Sequence, residues 1–342
     1  VLIIGLTPPN TRDQTLKQNV EGLEFLNLGA TVAKHADAIR GSDLVIILTQ
    51  FTRDELADNL HFLNEFNQEF VVVFNAFDDA RIALEKFSEN TFIIGHDGVA
   101  RGTSFERFTV QLDNGRIRDF SFSRKKVVCN EITPDSKLSS VMKTYRRKID
   151  GVIHEKVGMS AQNLAVDNFA ECALGNWVCD LMLRDSGAEM AITNSSGMRG
   201  GFATGEIDLE QIYRFFPFDN AWVCMKLSGS DLMALMERCY IRNQPIFQLS
   251  GGTIAVNRER EKKVVSFNIQ GQPLDLNREY LVVTNSFLAE GGDGYVEFLS
   301  GTERRYGPLI RNLLIDSLRS GAVLTGGIEG RILFGVVRDG KL

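Results

Sequence analysis

Short apolar runs near 1–6, 43–49, 70–74 and 92–95 predict buried strands, and the helical spacing between them predicts intervening helices. His35 and His61 fall in those helical stretches. The run 108–112 and the run 117–122 flank Asp113-Asn114-Gly115-Arg116, and Asn-Gly between strand-like runs predicts a hairpin. Residues 80–85 carry a helical pattern, with Asp78 and Asp79 as cap and first-turn charge. A longer helix is expected from Thr133-Pro134-Asp135, with Thr133 as N-cap, Pro134 at the first position, and an apolar stripe of Leu138, Val141, Met142, Tyr145 and Ile149. Further on, 188–192, 221–227 and 280–284 predict strands, and Leu309, Ile310, Leu313, Leu314 and Leu318 predict a core-facing helix.

The length of 342 residues corresponds to about two domains. Net charge is −6, which argues against a nucleic-acid binder, because such proteins carry a basic surface. The basic clusters 124–126 and 146–148 are short and read as solvated faces. No run of about 20 apolar residues occurs, so no membrane span is expected, and no secretory leader is visible. Five cysteines include no Cys-x-x-Cys pair. Cys172 and Cys179 lie two helical turns apart, roughly 10 Å of rise, too far for a mutual disulfide. Free, buried thiols are expected.

Three polar elements follow apolar runs in the second half. Thr193-Asn194-Ser195-Ser196-Gly197-Met198-Arg199 joins an amide to a guanidinium, whose planar fork suits phosphate or carboxylate. Phe215-Phe216-Pro217-Phe218 reads mainly as core, with room for one ring to face a ligand. Asn285 to Tyr295 combines Phe287 with Gly291, Gly292, Asp293 and Gly294. A flat ring stacks on nucleobases, and glycines let backbone approach a ligand closely.

In this order the elements resemble the C-terminal substrate-binding domain of the 5'-nucleotidase family. Glu171 to Asn176 resembles that family's opening helix motif. Asn194 to Arg199 resembles its Asn-x-x-x-x-Arg loop, and Pro217-Phe218 its Pro-Phe turn. Leu227-Ser228-Gly229 and Leu249-Ser250-Gly251-Gly252 fit its next landmarks. The likeness runs from about residue 137 to the C-terminus and continues more faintly into 1–130. It implies mixed α/β and α+β architecture. A partial metallophosphoesterase-like β-sandwich domain with flanking helices would span 1–132, a linker helix 133–150, and an α/β substrate-binding domain 151–342. The resemblance further implies a nucleobase between Phe218 and Phe287, a ribose at Asp293, base and phosphate contacts from Asn194 and Arg199, and close approach at Gly291 and Gly292. The family's Arg just before the opening Glu is Ala170 here, which weakens phosphate recognition more than base recognition.

The family uses two divalent metal ions. Its first ligands and catalytic Asn-His pair would lie upstream of Val1. Where the family has a His after strand 43–49, this chain has Gln50. Where it has Gly-His-x-His after strand 70–74, this chain has Asn75-Ala76-Phe77-Asp78-Asp79. A Gln amide is a poor transition-metal ligand. His35, His61, His96 and His154 show no metal-ligand spacing, so no catalytic residue, metal ligand or cofactor is expected within this chain. Three functional readings follow: a non-catalytic binder of a nucleotide or nucleoside, an active phosphohydrolase whose metal site comes from a further N-terminal segment, or an interaction protein that keeps only the fold. The resemblance implies a periplasmic or extracellular location.

Overall fold

The computed structural model describes residues 1–13, 15, 19–51, 70–78, 84–88, 90–96, 104–114, 116–241 and 244–335. The chain divides into two compact units, Val1–Arg12 with Val20–Ser139, and Asp13–Asn19 with Ser140–Leu342.

The first unit is built on β1 (Leu2–Leu6), β2 (Val45–Thr49), β3 (Val71–Asp78), β4 (Glu85–Lys86) and β5 (Thr91–His96), in the order β1-β2-β3-β5-β4. All neighbours are parallel except β4, which runs antiparallel to β5. Successive side chains of a strand point to opposite faces, so a strand buried on both sides must be apolar throughout. Val71 and Val73 face one core, shared with Leu28, Val32 and Ile39 of helices α1 (Leu28–Lys34) and α2 (Ala36–Arg40). Val72 faces the other core, with Leu44, Phe70, Phe92 and Ile94. A long hairpin, β6 (Ser104–Asp113) and β7 (Arg116–Lys126), covers this second face. Its Phe108 and Phe120 join Phe70 and Phe92 in a four-ring cluster, with the Phe92 and Phe120 centroids 4.6 Å apart. The sheet and the hairpin together give the expected sandwich-like layering. At the hairpin tip Asn114 takes φ +51°, the left-handed conformation that an Asn-Gly turn demands.

Two local expectations are corrected. Glu85 lies in strand β4 rather than in a helix, and Asp78 ends β3. Both pair with β5, Asp78 opposite His96 and Glu85 opposite Ile93; residues 79–83, on which the expected cap charge and first turn fall, lie outside the described residues, as does His61. The long helix α3 spans Ser136–Ile153, and its cap is Asp135 rather than Thr133. The Asp135 carboxylate accepts from the Lys137 and Leu138 amides, both at 2.9 Å, and an acidic cap also favours the helix dipole. The apolar stripe is exposed, with Leu138 and Tyr145 about two-thirds accessible.

The second unit has a five-stranded sheet as its middle layer. In chain order its strands are β8 (Met190–Asn194), β9 (Ala221–Ser228), β10 (Phe247–Ser250), β11 (Glu279–Asn285) and β12 (Thr302–Leu309). Their spatial order is β10-β8-β11-β9-β12. Only β8 and β11 are parallel neighbours. Met190, Ile192, Val223, Met225 and Val282 pack on one side with α6 (Gly229–Cys239). Ala191, Cys224 and Val283 pack on the other with α4 (Ala173–Ser186), α5 (Leu209–Phe215) and α7 (Ile310–Arg319). The stripe Ile310, Leu314 and Leu318 is core, as its spacing predicts, whereas Leu309 ends β12. Cys172, Cys179, Cys224 and Cys239 are free and buried, and desolvation raises all four thiols, Cys239 to about 12.

Candidate functional site

The adjacent parallel strands β8 and β11 both run out of apolar sequence into asparagine, Asn194 and Asn285. In open parallel sheets ligands bind outside the carboxyl ends of the strands, and this one parallel pair offers a comparable edge. Asn285 is buried and organises this edge. Its amide donates to Thr193 Oγ1 at 3.0 Å and to Asn194 Oδ1 at 2.9 Å, while its own oxygen accepts from the Leu288 amide and caps the helical turn Ser286–Ala289. Sequence reasoning left Asn285 without a role, although an Asn between an apolar strand and Ser-Phe-Leu carries a cap signal.

Asn194 donates in turn to Ser196 Oγ at 2.9 Å and to Asp293 Oδ2 at 3.1 Å. Its amide is therefore committed within the protein, and it fixes the carboxylate of Asp293. Asp293 takes φ +54°, between Gly291 at +80° and Gly294 at +74°. This left-handed stretch is what the glycines permit. The residue remains accessible, yet desolvation raises the pKa of its carboxyl, with the Asn194 hydrogen bond and the Arg199 charge opposing. Gly292 has a separate role. A Cβ there would lie 2.6 Å from three atoms of the Phe287 ring, so the ring rests directly on its backbone. Arg238 holds the far side of the loop: it donates to the Gly294 carbonyl, pairs with Glu297 at 3.1 Å, and lies 4.8 Å over the Tyr295 ring.

The Phe215–Phe218 run divides as its sequence allows. Phe215 and Phe216 are 1% accessible, whereas Phe218 is 44% accessible. The turn that presents Phe218 is anchored by Arg311, which donates to the Phe216 carbonyl at 3.1 Å, pairs with Asp219, and stacks 4.1 Å from Tyr213. Nothing in the sequence marked Arg311, because its partners lie some 90 residues away. Arg199 is exposed, donates to the carbonyls of Ser196 and Met198, and lies 5.4 Å from the Phe218 ring centroid. Thus Arg199 and Phe218 form one contact, Asn194 and Asp293 a second, and Phe287 and Gly292 a third.

The opening motif is structural. Glu171 accepts from Asn176 Nδ2 at 2.8 Å and from the backbone amides of Glu329 and Ile332, tying the start of α4 to a segment some 160 residues later. Burial alone raises this carboxyl, but the hydrogen bonds outweigh it, so its pKa falls below the ordinary 4.5. A depressed carboxylate contributes stability that is present above its unfolded pKa and lost as pH falls through the folded one. Glu171→Gln should therefore lower stability at neutral pH and flatten the loss of stability on acidification below about pH 4.5, read by denaturant titration across pH.

Two positions that correspond to metal-ligand positions of the family carry amides here, Gln50 and Asn75. Gln50 sits exposed just after β2. Asn75 is buried and commits both ends of its amide to the Phe51 backbone, at 2.7 and 2.8 Å. Among the described residues a single group of three potential ligands occurs, His154, Asp208 and Glu210, in the second unit. No sequence spacing announced it, because His154 meets Asp208 across 54 positions.

Residues 152–300 match the family described as 5'-nucleotidase, C-terminal domain. The chain aligns over 97% of its length with the 5'-nucleotidase precursor of Thermus thermophilus, covering 72% of that chain at a TM-score of 0.78 and 22% identity. The chain has the 5'-nucleotidase fold. A cell wall protein of Listeria monocytogenes is 24% identical over 97% of this chain and 48% of its own length. The trifunctional nucleotide phosphoesterase protein of Bacillus subtilis is 28% identical over 55% of this chain and 14% of its own length. This 5'-nucleotidase-type chain thus spans about half, or less, of these relatives. Among the described residues no helix is long and apolar enough to cross a membrane.

Proposed function

We propose that the second unit binds a nucleoside or nucleotide at the carboxyl ends of β8 and β11, with the base between Phe218 and Phe287 and the sugar hydroxyls on Asp293. The observation that carries this reading is Phe218. Two of three neighbouring phenylalanines are buried, and the third is held out in solvent on a turn pinned by a buried arginine. A half-exposed ring on an anchored turn contributes little to a core and offers a face for stacking.

Asn194 acts through Asp293, whose carboxylate it orients toward accepting hydroxyl protons. Gly291 and Gly292 let the loop approach the ligand, and Gly292 supports the Phe287 ring. Arg199 provides the cation nearest to Phe218 for a phosphate. With alanine at 170, a phosphate adds little affinity, so AMP should bind at most about tenfold tighter than adenosine. We read this chain as a binder that does not supply its own dinuclear metal catalysis. The name of the Listeria relative supports a location outside the cytoplasm.

Equilibrium titration of adenosine and AMP, with phosphate release followed in the same samples with and without manganese, tests the reading. Binding of both without release supports it. Release that requires manganese would favour the phosphohydrolase reading, and no binding of either ligand would favour an interaction protein that keeps only the fold.

A further inference from the structure

His154, Asp208 and Glu210 lie outside the set of residues assigned above to a nucleoside. We propose that they form a site for a divalent transition-metal ion of the zinc class. His154 follows the last turn of α3, Asp208 caps α5, and Glu210 lies in the first turn of α5. The Nδ1 of His154 is 3.5 Å from Asp208 Oδ2 and 3.7 Å from Glu210 Oε2. All three ligand atoms lie within 4.8 Å of one another.

These separations are long for N–H···O hydrogen bonds, which centre near 2.9–3.0 Å. They are close to the spacing of neighbouring ligands around a tetrahedral ion, roughly 3.4 Å for bonds of about 2.0–2.2 Å. The second oxygen of each carboxylate is already engaged. Asp208 Oδ1 accepts from the Gln211 amide at 2.9 Å, and Glu210 Oε1 accepts from Arg214 at 2.5 Å. One oxygen from each residue is therefore left facing the imidazole. The other ring nitrogen faces Asp150 Oδ1 at 3.9 Å, the side on which a carboxylate orients a metal-bound histidine.

One imidazole and two carboxylates make a mixed nitrogen and oxygen donor set suited to zinc and its neighbours. The side chains are 48%, 27% and 29% accessible, so water can complete the coordination. Such an ion would tie the end of α3 to the start of α5. It would sit beside a cavity of about 540 Å³ lined by Ile149, Val152, Ile153, Leu209, Tyr213 and Ile315. Ile153 and Leu209 are chain neighbours of the three ligands.

Zinc alone, titrated calorimetrically into the full metal-free chain, tests the site. The expected result is one equivalent bound and a rise in thermal midpoint. His154→Ala and Glu210→Gln should each weaken binding by at least about tenfold. Asp208→Asn should do the same while keeping the metal-free midpoint, because asparagine caps a helix as well as aspartate does. Absence of stoichiometric binding, or unchanged binding in the His154 and Glu210 variants, would overturn the proposal.

Discussion

Phe218→Ala is expected to weaken adenosine binding by about 1–3 kcal/mol, roughly 5- to 150-fold, while leaving the fold almost untouched. Phe218 is 44% accessible, and the turn beneath it is held by Arg311 rather than by the ring itself. Its removal should therefore change unfolding free energy by no more than about 0.5 kcal/mol, as exposed substitutions usually do. Phe287→Ala should cost similar affinity, but it also removes a ring that packs against the core and rests on Gly292. A stability loss of about 1–3 kcal/mol should accompany it. Calorimetry and denaturant melts on both variants separate the two effects. Unchanged affinity in the Phe218 variant would remove the base from its assigned place.

Asn285→Ala is expected to produce the largest stability change in the site, about 2–4 kcal/mol. Three hydrogen bonds meet at this buried residue, and truncation leaves Thr193, Asn194 and the Leu288 amide without their partner. Asn285→Asp preserves the cap but cannot donate to Asn194, so its cost should be intermediate. Both variants should also lose ligand affinity, since Asn285 positions Asn194, and Asn194 positions Asp293. A change below about 0.5 kcal/mol in the alanine variant would show that the strand ends are held by other contacts.

Much of the fold is legible in the sequence because short β-branched or apolar runs such as 70–74, followed by polar residues, have the length and composition of strands buried on both faces. The Asn-Gly hairpin is legible from its turn chemistry, although its strands extend well beyond the apolar runs that announce them. The cap of α3 was less legible: Thr133 and Asp135 are both good caps, and geometry rather than composition selects Asp135. The geometry of the candidate site was legible where it depends on residue type and local order, as with the exposed ring of Phe218 and the left-handed Gly291–Gly294 turn. It was illegible where support comes from far along the chain. Arg311, Arg238 and Asn285 each hold a site element through partners that no local pattern identifies, and the meeting of His154 with Asp208 has the same character.

The proposed binding mode places a nucleobase between two particular rings. Its most direct test is the crystal structure of the full chain grown with adenosine. The expected result is difference density for adenine between Phe218 and Phe287, with the ribose hydroxyls within hydrogen-bonding distance of the Asp293 carboxylate. Density for the nucleoside elsewhere on the protein, or an empty site at ligand concentrations that saturate in solution, would contradict it.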